Sequence, residues 1–67
     1  MNTMTPVTID GQTRYAEDLA HYADYDEREA VHATMDADSE QEFWSAFAAR
    51  YPESMTYLID ITPVVRA

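Results

Sequence analysis

The chain has no cysteine, no lysine, a single glycine and three prolines in 67 residues. Each shortage removes a class of explanation. Without cysteine there is no disulfide to brace a small fold, no zinc–thiolate site and no thiol nucleophile. The lack of cysteine also suits a reducing compartment. Gly11, the lone glycine, is too little for a glycine-rich phosphate loop. Ser39, Ser45 and Ser54 fall in capping, helical and turn contexts, and none sits in a Gly-x-Ser-x-Gly elbow. No apolar run approaches the roughly 18 residues of a membrane span. Met1 to Pro6 lack the basic and apolar stretches of a signal peptide. These shortages argue against an enzyme, against a bound cofactor and against a membrane protein.

What the chain does contain is acid. Thirteen Asp and Glu face four arginines, giving a formal net charge of −9 and a pI near 4.2. A small soluble domain usually carries a net charge of roughly 2 to 8 in magnitude. Ten of the acids, from Glu17 to Glu42, fall in one 26-residue window that holds only Arg28 against them. Solvated helix faces normally mix signs, with Glu–Lys pairs a turn apart. So one-sided a surface repels itself and destabilises the compact state. A strongly basic partner would compensate. Anionic lipid and nucleic acid would both be repelled, so neither membrane nor direct nucleic-acid binding is expected.

The charge alone would favour disorder. Hydrophobic residues at 46% and aromatics at 12% oppose it and predict one folded domain over residues 1–67, with 1–5 flexible. A core this small is marginal, so the chain is expected to be a monomer or a homodimer.

Val7-Thr8-Ile9 alternates like a strand, and Asp10-Gly11 is a two-residue hairpin signal. Gln12 to Arg14 reads as either the return strand or a helix start. Arg14 to Asp24 predicts an amphipathic helix with Tyr15, Leu19 and Tyr22 inward. Asp26-Glu27-Arg28-Glu29 resembles a capping box, with Asp26 as N-cap of a short helix to about Met35. Ser39-Glu40-Gln41-Glu42 is a stronger capping box, followed by the apolar face Phe43, Trp44, Phe47, Ala48 and Tyr51 and ended by Pro52. Met55 to Thr62 alternates and reads as a strand, stopped by Pro63. Val64 to Ala67 either extends the sheet or frays. The expected fold class is α+β: two or three helices on a two- or three-stranded antiparallel sheet formed by the N- and C-terminal strands, covered by the aromatic helix.

His21 with Asp24, and His32 with Asp36, have helical spacing that could place two metal ligands together. Counted from Asp24 or Asp36, however, the Gly and Glu positions of a calcium loop hold Glu29 and Met35, or Gln41 and Phe47. No metal site is expected. Among the tyrosines, Tyr25 between Asp24 and Asp26 is the one expected to be exposed, while Tyr15, Tyr22, Tyr51 and Trp44 are assigned to the core.

The acids themselves are the candidate site. Carboxylates three or four residues apart on a helix lie roughly 5–6 Å apart. Duplex DNA carries about one charge per 1.7 Å of axis. Acid-faced helices side by side could therefore imitate a nucleic-acid backbone and occupy a basic groove. The expected contact set is Asp24, Tyr25, Asp26, Glu27, Glu29, Asp36, Asp38 and Glu40, supported by Glu17 and Asp18. Asp10, Glu53 and Asp60 are set aside as structural or incidental.

In size, charge and the clusters Asp24-Tyr25-Asp26-Glu27-Arg28-Glu29 and Asp36-Ala37-Asp38-Ser39-Glu40-Gln41-Glu42, the chain resembles the small acidic proteins that phages encode against host nucleic-acid machinery. It is most similar to the anti-CRISPR class, as an inhibitor of a type I surveillance complex. The resemblance implies a stoichiometric, non-enzymatic inhibitor that occupies a DNA-reading surface of a CRISPR effector complex in the host cytoplasm. It transfers no residue roles position by position. Two alternatives are an acidic antitoxin or adaptor that binds a basic protein through an apolar surface plus charge, and a structural protein whose charge only maintains solubility.

Overall fold

The computed structural model describes residues 4–65. It is a small α+β domain in the order β1 (Pro6–Ile9), β2 (Gln12–Tyr15), α1 (Ala16–Tyr22), α2 (Tyr25–Thr34), α3 (Glu40–Arg50) and α4 (Pro52–Ile61). β1 and β2 form an antiparallel hairpin, with Val7 opposite Arg14 and Thr8 opposite Thr13. Its two-residue turn needs positive φ at both positions, and Asp10 (50°) and Gly11 (76°) supply it. Space does not dictate the glycine, because nothing lies within 4 Å of where its Cβ would be. Backbone conformation does. Gln12 to Arg14 is thus the return strand.

Alternation on β1 sends Val7 and Ile9 into the core and Thr8 outward. The Thr8 and Thr13 hydroxyls pair at 2.9 Å across the outer face. The free edge of β1 is closed by one side chain. Thr8 N–H donates to Gln41 Oε1 at 2.8 Å, and Gln41 Nε2 donates back to the Thr8 carbonyl at 2.9 Å. That amide holds α3 along the hairpin and blocks an edge that could otherwise pair with another chain. Of residues 1–5, expected to be flexible, 1–3 lie outside the described residues. Thr5 is held by Glu17, and its carbonyl accepts the Ala16 N–H at 2.7 Å.

α3 is the central element. Phe43, Trp44 and Phe47 are all buried on it, and it packs against β1, α1, α2 and α4. Rings of Phe43, Trp44, Phe47 and Tyr51 follow one another at centroid spacings of 5.0, 5.1 and 5.4 Å. Val7, Ile9, Ala16, Leu19, Val31, Met55 and Leu58 complete the core. The Ser39 hydroxyl accepts from Glu42 N–H, as a capping box requires. Glu42 reaches back to the amide of Asp38 rather than that of Ser39.

The largest correction concerns the C-terminal segment. Met55 to Thr62 is not a strand, and the sheet is the N-terminal hairpin alone. Pro52 ends α3 and occupies the first turn of α4, where a missing N–H is harmless. Met55, Leu58 and Thr62 point inward at helical spacing. Arg14, only 8% exposed, fixes the end of this helix. Its Nε and Nη2 donate to the Ile59 carbonyl at 3.2 and 3.0 Å, satisfying an orphan acceptor at the negative end of the helix dipole. Past Pro63, Val65 N–H reaches the Thr13 carbonyl at 3.4 Å. Arg66 and Ala67 lie outside the described residues.

Two smaller corrections follow. The N-cap of α2 is Asp24, not Asp26, and accepts from Glu27 N–H at 3.0 Å. Tyr22 is 53% exposed rather than core, because α1 ends there and turns Leu19 inward instead.

Candidate partner-binding surface

Many of the acids hold helix starts. Glu17 and Asp18 lie in the first turn of α1, and Asp24, Asp26 and Glu27 cap and begin α2. Glu40 and Glu42 begin α3, and Glu53 begins α4. Negative charge is favourable at each of these positive dipole ends. Glu17 also accepts from the Thr5 amide at 2.8 Å and the Thr5 hydroxyl at 3.0 Å. The Thr5 amide, foremost, lowers its pKa from the ordinary value. Glu40 accepts the Trp44 indole N–H at 3.1 Å. Glu29, Asp36 and Asp38 have no such duty. All three are exposed, Glu29 within α2 and the other two in the loop between α2 and α3.

Among the described residues, Arg14, Arg28 and Arg50 do not balance this surface. The hydrogen bonds of Arg14 end on carbonyl and amide oxygens, and that of Arg50 on the Tyr51 phenol. Arg28 stands over the Tyr25 ring, 5.7 Å from its centroid, and its Nε is buried without a hydrogen-bond partner. Tyr25 itself is 64% exposed, as its position between two aspartates predicts.

Half of the expected contact set lines two separate concavities, and the other half lies outside them rather than along a single row. Asp36, Asp38 and Glu40 line an open cleft of about 650 Å³ between α2 and the start of α3. Phe43, Trp44, Arg28 and His32 also line it, with the His32 ring stacked 4.4 Å from Phe43. Asp24 and Glu27 line a second groove of about 390 Å³ together with Tyr22 of α1 and Glu53 and Tyr57 of α4. Asp26 and Glu29 are exposed on α2, outside both concavities. Glu17 and Asp18 line neither.

Glu53, Tyr22 and Tyr57 were the residues missed. Tyr22 is assigned to the core from its helical spacing and Glu53 is set aside as structural or incidental, while reading Met55 to Thr62 as a strand hides Tyr57. On a helix, Glu53 and Tyr57 are one turn apart on the same face.

Among the described residues, no group of three or more His, Asp or Glu could hold a metal ion. No helix there is long and apolar enough to cross a membrane. What the surface offers chemically is carboxylate acceptors, strongest toward arginine and lysine. Compared with protein-family models, curated proteins and solved structures, the chain matches none.

Proposed function

We propose that this protein is a non-enzymatic inhibitor whose acidic α2–α3 surface occupies a basic nucleic-acid-binding groove of a partner. The observation that carries the reading is Glu29, Asp36 and Asp38: exposed carboxylates with no part in capping. Fold stability gives no reason to keep them beside seven other acids, because like charges repel. A partner's arginines and lysines would remove that repulsion on binding.

Dimensions bound the target. The long axis of the protein is 32 Å, about nine base pairs at roughly 3.4 Å per step. Ten carboxylates match the phosphates of only about five base pairs, at two charges per pair. A short reading site therefore suits the surface better than a long channel. The motif-reading surface of a CRISPR effector complex is such a site, which is the partner class the sequence resemblance implies. It would place the protein, as an anti-CRISPR of phage origin, in the bacterial cytoplasm.

The test is competition. A purified type I effector complex is titrated with target duplex in the presence of the protein, at low and high salt. The reading expects displacement of duplex, weakening steeply with salt. Combined Glu29→Gln, Asp36→Asn and Asp38→Asn substitution should reduce it at least about tenfold, since charged contacts of this kind contribute strongly to encounter. Binding that persists when DNA fills the groove would refute mimicry.

One observation favours a second reading, an adaptor or antitoxin anchored by apolar contact. Tyr57 is 61% and Ile61 38% exposed on the outer face of α4. On that reading loss of Glu29, Asp36 and Asp38 is tolerated and truncation of Tyr57 is not.

A further inference from the structure

The outer face of α4 carries exposed apolar side chains beside the exposed acids Glu53 and Asp60. Tyr57 and Ile61 lie one turn apart on it, and Val64, 61% exposed, follows just past Pro63. Tyr22, on the end of α1, lines the second groove together with Tyr57. Asp24, Glu27 and Glu53 rim that groove. An exposed apolar patch with a polar rim marks an interaction site. Here the rim has one sign, and that restricts what can lie on it.

A second copy of the chain would bring the same acids against themselves, at a net −9 each. Nucleic acid and anionic lipid are repelled for the same reason. An apolar segment without positive charge would leave the rim carboxylates desolvated and unpaired. We propose that this groove receives a cationic amphipathic helix of a partner protein. Its apolar stripe packs on Tyr22 and Tyr57 in the groove and on Ile61, one turn further along α4. Its arginine or lysine heads pair with Asp24, Glu27 and Glu53. α4 is ten residues long, about 15 Å at roughly 1.5 Å per residue, so it presents enough length for anchors at one-turn spacing. The proposal deepens the adaptor reading by naming the occupant. The carboxylates of the α2–α3 loop play no part in it.

The probe is a labelled leucine–lysine peptide of about four turns, with leucines at helical one-face spacing. Its control is a peptide of the same composition with that spacing scrambled. Fluorescence anisotropy should show the amphipathic peptide bound at least about tenfold tighter than the scramble. Tyr57→Ser and Ile61→Ser, checked for folding by circular dichroism, should each weaken it several-fold and leave its salt dependence unchanged. Glu53→Gln should flatten the salt dependence. Asp10→Asn in the hairpin turn, which removes one charge elsewhere, should do nothing. Equal binding of the scramble, or unchanged affinity in both α4 variants, overturns the proposal. So does self-association that Tyr57→Ser abolishes, since a second copy would then be the occupant. The triple variant of the duplex competition described above reads Glu29, Asp36 and Asp38, none of which lines this groove. A failure there with peptide binding intact refutes mimicry alone, and the reverse result refutes this groove alone.

Discussion

Helices α2 and α4 have the same length, ten residues, and different surfaces. α2 buries Val31 alone and is started by its own Asp24 cap, with Asp26 and Glu27 in the first turn. α4 buries Met55 and Leu58, has no side-chain cap, and is held at its far end by Arg14 from β2. α2 is thus a helix stabilised by local chemistry, and α4 one stabilised by the tertiary fold. Their outward faces differ in proportion: α2 exposes Asp26 and Glu29 beside Tyr25, whereas α4 exposes Tyr57 and Ile61 beside Glu53 and Asp60. Charge kept only for solubility would cover the exposed apolar residues. Instead it accumulates at the start of α2 and in the loop after it, leaving Tyr57 and Ile61 on α4 uncovered. This separation argues that the two faces meet different chemistry.

The comparison breaks most readily in the core. Leu58→Ala should destabilise by about 2–5 kcal/mol. A single core of this size supplies roughly 3–5 kcal/mol in total, so the variant should be largely unfolded at room temperature by circular dichroism. Val31→Ala removes two methyl equivalents from under α2 and should cost about 1.6 kcal/mol. Equal damage from the two would mean that α2 depends on tertiary packing as much as α4 does. Next in size is Arg14→Met, which leaves the Ile59 carbonyl without its donor and should cost about 1–3 kcal/mol. Amide hydrogen exchange should then accelerate in the last turn of α4 and stay unchanged in α2.

The same contrast explains what could be read from the residues alone. α3 was legible because its start, its apolar face and its proline stop agree with one another. The hairpin turn was legible because Asp-Gly supplies a backbone conformation that few dipeptides can. α2 was legible from local capping, although two aspartates in a row of candidates allowed the cap to be misplaced from Asp24 to Asp26. α4 was misread because Met55, Tyr57, Ile59 and Ile61 alternate with polar residues and include β-branched side chains. Nothing within the segment says that Gln41 closes the free edge of β1, or that a guanidinium from β2 awaits a helix end. Those are tertiary facts that override local pattern. The acidic cluster was visible as composition. Its division between helix starts and an undedicated remainder appears only once the caps are located.

That division sharpens into a smaller prediction. Asp24→Ala removes the cap of α2 and should cost about 1 kcal/mol, within a range of roughly 0.5–2. Asp36→Asn, at an acid with no cap to hold, should change stability by less than about 0.5 kcal/mol. At low salt its sign should be stabilising, because one like charge is gone. Urea titrations of the two variants at low and high salt measure both effects. If Asp36→Asn destabilises as much as Asp24→Ala, the loop acids are structural and lose their claim to a partner.

The smallest effect lies outside both helices, where α1 begins. The Thr5 amide N–H, with the amide of Glu17 itself and the Thr5 hydroxyl, lowers the Glu17 pKa below its ordinary 4.5. A carboxylate whose folded-state pKa is depressed binds its proton less readily than in the unfolded chain. Its contribution is therefore complete above the unfolded value and disappears as pH falls through the lower, folded one. Stability should lose this contribution below about pH 4.5, beginning with release of Thr5 from the start of α1. Glu17→Gln keeps an oxygen acceptor for the Thr5 amide and discards the charge. Subtracting the variant's stability-versus-pH curve from that of the parent isolates the carboxylate. The difference should be flat near neutrality and shrink toward zero in acid, with the Thr5 amide resonance shifting over the same interval. A difference that grows in acid would mean that Glu17 is held as the neutral acid, and that the negative charge at this helix start has no stabilising role.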